Sequence, residues 1–274
     1  MFEIPDRHLA AGFAEKVDEP PSRPAPALPA ATTVLLRDGP AGEGQGPLEV
    51  LLMRRNHQSR FVPGAWVFPG GRVDPGDSAV ALHERIRWPV GPAPDPGVDP
   101  AFWAAALREL AEETGVFLAR RDGAWIPDSA SDGRVAAVRR SLMKDERGLL
   151  DVLDELDLLL DARAMVPVGH WVTPVVEPYR YDTLFFAVPL PEGRRVTPDP
   201  REMLEARWLT PAAALREHRA GRMPMVFPTI RTLESLRGRD TVEAALSGFR
   251  GRRIRRILPR LVRTEGGVGV VVDD

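Results

Sequence analysis

The chain contains no cysteine. That excludes disulfides, thiolate nucleophiles and zinc–thiolate centres, so a catalytic metal has to sit on carboxylate, histidine or water. Carboxylates favour hard ions such as magnesium or manganese. Also missing is any run of about 18 apolar residues able to cross a bilayer. Met1–Ala14 has no basic-then-apolar leader pattern, and the closing Val-Val-Asp-Asp is no peroxisomal or retention address. These absences set a cytoplasmic location and no membrane partner as the expectation. Charge of one sign is lacking too: 37 basic residues stand against 39 acidic ones, a formal net charge of -2. A nucleic-acid binder would carry a basic footprint, so nucleic acid is not expected as a partner.

What is present suits a globular domain. The 274 residues are 43% hydrophobic and 28% charged, enough to bury a sizeable core. Residues 1–30 read as a lead-in. Its Pro-rich part, 19–30, is expected to form neither helix nor interior strand. Residues 31–236 read as the main domain, and 237–274 as a helix followed by a basic tail. In that tail Arg250, Arg252, Arg253, Arg255, Arg256, Arg260 and Arg263 invite two readings, an anion or RNA contact and a solvated, loosely packed surface. The second is preferred, because charge runs are usually surface.

Between these ends, strands are expected at Thr32–Arg37, Leu48–Arg54, Trp66–Pro69, Met165–Val172, Thr183–Val188 and Ala206–Leu209. Helices are expected at Ala101–Thr114, Arg134–Glu146, Leu149–Ala162, Pro211–Ala220 and Pro228–Leu236. The order mixes α and β without regular alternation, which indicates α+β or a mixed sheet between helices. Residues 89–100, rich in Pro and Gly, read as a loop, and 78–100 as a mostly irregular insertion beside the mouth of the site.

The helix at 101–114 carries the chemistry. Asp99 can cap it, Pro100 suits its first turn and Gly115 stops it. Glu109, Glu112 and Glu113 stand three and four residues apart on one face. Trp103, Leu107, Leu110 and Thr114 form an adjacent stripe suited to a core. Crowded carboxylates repel one another, and only Arg108 is near to relieve them. A hard cation would do so, leaving its open positions for phosphate oxygens. The competing reading is an exposed acidic helix face. Upstream, Phe68-Pro69-Gly70-Gly71 places two glycines at a strand end, where backbone can approach a helix or a bound phosphate closely.

The combination resembles the Nudix hydrolase family. Its signature runs Gly, five residues, Glu, seven residues, then Arg-Glu-apolar-any-Glu-Glu-any-Gly-apolar. Gly71 matches its start, and Arg108, Glu109, Leu110, Glu112, Glu113, Gly115 and Val116 match its second half. Asp77 holds the first acidic position, and thirty residues (78–107) stand where the signature has seven. Within the family, Leu51–Gly71 resembles the upstream motif of coenzyme A diphosphatases, with Met53 and Asn56 as departures. The insertion and Tyr181–Phe186 resemble the peroxisomal-type branch and its bacterial relatives.

The resemblance implies an α/β/α sandwich with a mixed sheet and an inserted loop before the catalytic helix. It implies Mg²⁺ or Mn²⁺ held by Glu109, Glu112 and Glu113, with Arg108 holding a glutamate in place. A later acid would assist: Glu202 is the first candidate, with Glu205 and Glu177 behind it. Gly70, Gly71, Arg55 and Arg60 would meet phosphate. The implied substrate is a small nucleotide, foremost coenzyme A or an acyl-CoA, cut to 3′,5′-ADP and the (acyl-)4′-phosphopantetheine. ADP-ribose, NADH, a nucleotide sugar or a capped RNA end are the alternatives with the same chemistry. A non-catalytic nucleotide sensor is the alternative without it. A homodimer is compatible with any of these. His57 and His170 receive no role, and Tyr181 and Phe186 read as core or pocket wall.

Overall fold

Two apolar runs, Val34–Leu36 and Val50–Met53, lack the polar alternation of a half-exposed strand, and strands buried on both faces read this way. The computed structural model of the protein describes residues 2–5, 13–40, 47–59, 62–89 and 98–272. Its first part holds β1 (Phe2–Pro5), α1 (Phe13–Asp18), β2 (Ala27–Asp38), β3 (Leu48–Arg55), β4 (Trp66–Val67) and β5 (Gly70–Arg72). A 3₁₀ turn at Pro75–Ser78 leads to α2 (Val80–Glu84), β6 (Ile86–Arg87) and α3 (Pro100–Thr114). Next come β7 (Ala119–Arg121), β8 (Ala124–Trp125), α4 (Gly133–Leu142), α5 (Leu149–Leu156), β9 (Leu159–Asp161), β10 (Val166–Val172) and β11 (Arg180–Pro189). The remainder is β12 (Met203–Leu209), α6 (Pro211–Arg219), α7 (Phe227–Leu236), α8 (Val242–Ser247), β13 (Arg256–Ile257), β14 (Arg260–Thr264) and β15 (Gly267–Val271).

The main sheet runs β12-β3-β2-β11-β10-β13, with β4 on β3 and β5 on β2. It is mixed: β2 and β11 are parallel, while β2/β3, β3/β12 and β10/β11 are antiparallel. Its two faces sort by alternate residues. Leu35, Leu51, Met53, Leu184 and Phe186 pack with Trp103, Leu107 and Leu110 of α3. Their neighbours Val34, Leu36, Val50, Leu52 and Phe185 pack with Leu215, Ile230, Leu233 and Leu246 from α6, α7 and α8. Helices therefore cover both faces, which is the expected α/β/α sandwich. Each fully buried side chain of the α3 stripe contributes roughly 1.5–3 kcal/mol by leaving water, so α3 is anchored by its apolar side.

Several local expectations are corrected. The lead-in joins the sheet earlier than its prolines suggest: β2 starts at Ala27, and Pro29 pairs with Asp182. Pro29 has no N–H to give, but its carbonyl accepts the Val73 amide at 2.9 Å. The helix at 149 stops at Leu156, because Asp157 turns left-handed with φ 50°. Residues 159–161 then form a strand that pairs with β6 and β7. The described part of the insertion is ordered, with α2 and β6 in it. Leu82 and Ile86 are buried and Trp88 packs edge-on to Trp103, ring centres 6.1 Å apart. Leu82 and Ile86, four apart, give the segment an apolar side that the α3 layer buries. Residues 90–97 lie outside the described residues.

The basic tail is not loose. β13 extends the main sheet beside β10, and β14, β15 and β1 form a separate sheet of their own. Val268 and Val270 are buried in it. Some of its arginines turn to acids: Arg250 pairs with Glu243, Arg256 donates to Asp182 at 2.9 Å, and Arg263 to Asp18 at 2.7 Å. Among the described residues no helix is long and apolar enough to cross a membrane.

Candidate active site

The ends of α3 are fixed as its sequence dictates. The Asp99 carboxylate accepts the Ala101 amide at 2.9 Å, and Gly115 closes the helix with φ 72°. Spacings of three and four then bring Glu109, Glu112 and Glu113 to one side, around the buried guanidinium of Arg108. Arg108 Nε donates to Asp77 Oδ1 and Oδ2 at 3.1 and 3.3 Å, and Nη2 donates to Asp77 Oδ2 at 3.0 Å and to the Arg72 carbonyl at 2.8 Å. Nη1 donates to Glu109 Oε1 at 2.9 Å and Glu112 Oε2 at 3.1 Å. One planar fork thus spaces three carboxylates.

Asp77 lies only 2% exposed. Its carboxylate also accepts the Asp74 amide at 2.8 Å, and His83 Nε2 donates to its carbonyl at 2.7 Å. The insertion between Asp77 and Arg108 loops out without separating them. The short acid at this position reaches because the Pro75–Ser78 turn carries it to the helix.

Gly70 is required by backbone crowding, and Gly71 leaves room for the Glu109 carboxylate. Gly70 has φ 156°, and a Cβ there would stand 2.3 Å from the Ala31 carbonyl oxygen. A Cβ on Gly71 would stand 2.2 Å from Glu109 Oε1. The Gly70 amide donates to Glu113 Oε2 at 2.9 Å. It orients a carboxylate, which corrects the expectation that it faces phosphate.

Electrostatically the cluster is short of positive charge. Burial pushes the Glu109 carboxyl up to about 7 although Arg108 pulls it down, with Glu202 and Asp74 adding to the rise. Burial likewise pushes Glu112 up to about 7 against Arg108. Glu113, fully enclosed, is held well above the ordinary carboxylate range by burial and then by Glu109. The donor set, all carboxylate oxygen with unrelieved repulsion, fits a hard divalent cation. As the side chains stand, no three acidic or histidine groups among the described residues converge on one point. Arg108 holds Glu109 and Glu112 in its fork.

These groups line a cleft of about 1550 Å³ together with Arg55, Gly70, Gly71, Glu177, Tyr181 and Glu202. Glu202 is carried there by a loop hung on the end of α3. The Asp199 amide donates to the Glu113 carbonyl at 3.0 Å, and the Thr197 amide to the Thr114 carbonyl at 2.7 Å. The Arg55 Nε is buried without a hydrogen-bond partner, and Arg55 stands close enough to Glu113 to moderate its rise. Glu205 lies elsewhere, paired with Arg207 at 2.6 Å. Arg54 turns to His57, His170 bonds Asp182 at 2.6 Å, and Phe186 is core. Arg60 lies outside the described residues. No described residue of the 78–100 insertion lines the cleft, because its apolar side chains turn into the α3 layer instead. Sequence reasoning missed Arg72 and Asp74 beside Arg108. The Asp74-Pro75-Gly76-Asp77 run is a capped-turn signal that could have pointed to them.

Comparison with known proteins adds an independent line. The NUDT19 Nudix domain family matches residues 91–236. The human acyl-coenzyme A diphosphatase NUDT19 is 28% identical over 302 aligned residues, covering 95% of this chain and 76% of the human one. The chicken protein of the same name is 28% identical over 70% of this chain, which spans 63% of its length. Among solved structures, a Nudix hydrolase from Alicyclobacillus acidocaldarius is 31% identical with a TM-score of 0.67, covering 81% of this chain and 96% of that one.

Proposed function

We propose that this chain, which belongs to the NUDT19 Nudix domain family of Nudix hydrolases and is a diphosphatase, cuts coenzyme A or its acyl thioesters. The products are 3′,5′-ADP and the (acyl-)4′-phosphopantetheine. The observation that carries the reading is the Arg108-centred carboxylate cluster on the wall of a cleft large enough for a long nucleotide. The coenzyme A assignment rests on the relatives named acyl-coenzyme A diphosphatase.

Glu109, Glu112 and Glu113 would hold Mg²⁺ or Mn²⁺. A bound divalent ion supplies charge neutralisation at the phosphate oxygens and lowers the pKa of water. The remaining steps belong to the chain. Arg108 and the Gly70 amide fix the carboxylates, so little reorganisation is left for the reaction. Water oxygen bonds to one phosphorus while that phosphorus loses the bridging oxygen. A carboxylate takes the water's proton, and Glu202, beside Glu109 and Glu113, is the candidate. Arg55, which lines the cleft, meets a substrate phosphate with its guanidinium. Coenzyme A carries a 3′-phosphate besides its diphosphate, so its site needs such cations in addition to the metal. Among the described residues Arg55, Arg72, Arg108 and Arg219 line the cleft, and Arg108 is taken up by the carboxylates.

The test is a substrate panel with products identified by mass spectrometry, in Mg²⁺ or Mn²⁺ and in EDTA. Coenzyme A species are expected to be cut fastest, with no turnover in EDTA. Faster cleavage of ADP-ribose or NADH would overturn the coenzyme A assignment and leave the diphosphate chemistry standing. Tight nucleotide binding without cleavage would instead favour a sensor.

A further inference from the structure

The cleft has a second arm that the carboxylate chemistry leaves unused. From Gly70 on β5 its floor crosses β2 and β11 to Trp171 on β10. That is three strand spacings, about 14 Å at about 4.8 Å each. Thr183, Phe185 and Trp171 form the floor, and Val226, Phe227 and Ile230 at the start of α7 form one wall. Phe227 stands edge-on to Trp171 with ring centres 5.5 Å apart. The opposite wall comes from the small sheet of the tail, through Pro259, Leu261 and Val270. These tail residues lie beyond the span matched by the family, which ends at residue 236. The arm is mainly apolar where the carboxylate end is charged, yet the two are one continuous space.

Resting on the proposed coenzyme A reading, we infer that this arm receives the thioester-linked acyl chain, and that the tail sheet makes the enzyme prefer acylated over free coenzyme A. The occupant follows from continuity. A substrate whose diphosphate sits at Glu109, Glu112 and Glu113 has two ends. The nucleotide end carries phosphates and belongs beside Arg55 and Arg72. The other end is uncharged and becomes apolar beyond its amides. Only that end gains by entering a channel walled by Phe227 and Leu261. The gain has a known scale, roughly tenfold in affinity for every two methylenes that leave water.

The experiment compares free coenzyme A, acetyl-CoA, butyryl-CoA and octanoyl-CoA on the full chain with Mg²⁺, following release of 3′,5′-ADP. We expect kcat/KM to rise at least tenfold from coenzyme A to octanoyl-CoA. Phe227→Ser and Leu261→Gln should each cut the octanoyl-to-free ratio several-fold. The ratio within one variant is insensitive to the fraction that folds, and Leu261 is only half-buried. A flat chain-length profile in the wild type, or unchanged ratios in both variants, would overturn the inference while leaving coenzyme A hydrolysis in place. If no coenzyme A species were cut but ADP-ribose were, the underlying reading would fall first.

Discussion

Asp161 and Glu109 are both enclosed carboxylates facing arginine, and they titrate in opposite directions. Asp161 accepts from Arg120 Nε at 2.6 Å and from Arg163 Nε and Nη2 at 2.9 and 2.6 Å. Burial alone would raise it, but those hydrogen bonds outweigh burial and bring it down to about 2. Two guanidiniums serve one acid there. Around Arg108 one guanidinium serves Asp77, Glu109 and Glu112, and the hydrogen bond to Glu113 comes from a backbone amide. The first arrangement is satisfied as it stands and holds β9 in place. The second is left with surplus negative charge in a wet cleft, which is what a cation site requires. The number of acids per arginine, more than their burial, separates structure from chemistry.

The sharpest test is to remove one acid from each side of the Arg108 fork. Glu112→Gln should lower kcat by about a hundred- to a thousand-fold, the cost of losing one preorganised charge partner at a reacting phosphate. Near-wild-type kinetics in that variant would remove the helix from the mechanism. Asp77→Ala attacks the satisfied side of Arg108, leaving a buried guanidinium short of its main partner. It should cost about 3 kcal/mol of stability, read by urea unfolding. A loss under about 1 kcal/mol would mean that Glu109 and Glu112 alone suffice to hold it.

A smaller effect separates two late acids close in sequence. Glu202→Gln should slow turnover about tenfold, whereas Glu205→Gln, outside the cleft lining and paired with Arg207, should stay within about twofold. Equal losses would erase the distinction drawn from the cleft.

The smallest effect is in pH. Glu109 and Glu112 have folded-state values raised to about 7 from 4.5. Their stabilising contribution is therefore complete below about 4.5 and is lost as pH rises through 7. Asp161 has the opposite sign: its contribution is present above its ordinary value and lost as pH falls towards about 2. Metal-free protein should accordingly melt at a lower temperature at pH 8 than at pH 5. Mg²⁺ should raise Tm more at pH 8, where the carboxylates are ionised. Equal Mg²⁺ shifts at both pH values, by scanning calorimetry, would contradict the assignment.

Helix α3 was legible because its signals are local. Asp99, Pro100 and Gly115 set its ends, and the glutamate spacing and the Trp103–Leu107–Leu110 stripe fall within fifteen residues. The central strands were legible through their apolar runs. What stayed hidden depends on distant partners. Nothing near Asp77 announces Arg108, thirty-one positions later. The tail strands β14 and β15 are short and interrupted by arginine and glycine, and their partner β1 lies at the other end of the sequence. Leu82, Ile86 and Trp88 were masked by the surrounding prolines and glycines. The cleft's second arm was invisible for the same reason, since its walls come from β10, β11, α7 and the tail.

The pairing of Phe2–Pro5 with Gly267–Val270 also sets a timetable. During synthesis β1 emerges before β15 and waits unpaired while the ribosome makes everything between them. The central sandwich can assemble without it, but the three-stranded sheet cannot close until residue 270 is free. Closing so long a loop carries a large entropic cost, though that cost grows only slowly with length. Sequence separation of this kind slows folding more than it weakens the product. The wall bearing Leu261 and Val270 is thus the last part of the cleft to be built. A newborn chain would have its carboxylates in order before it had a complete place to put the rest of the substrate.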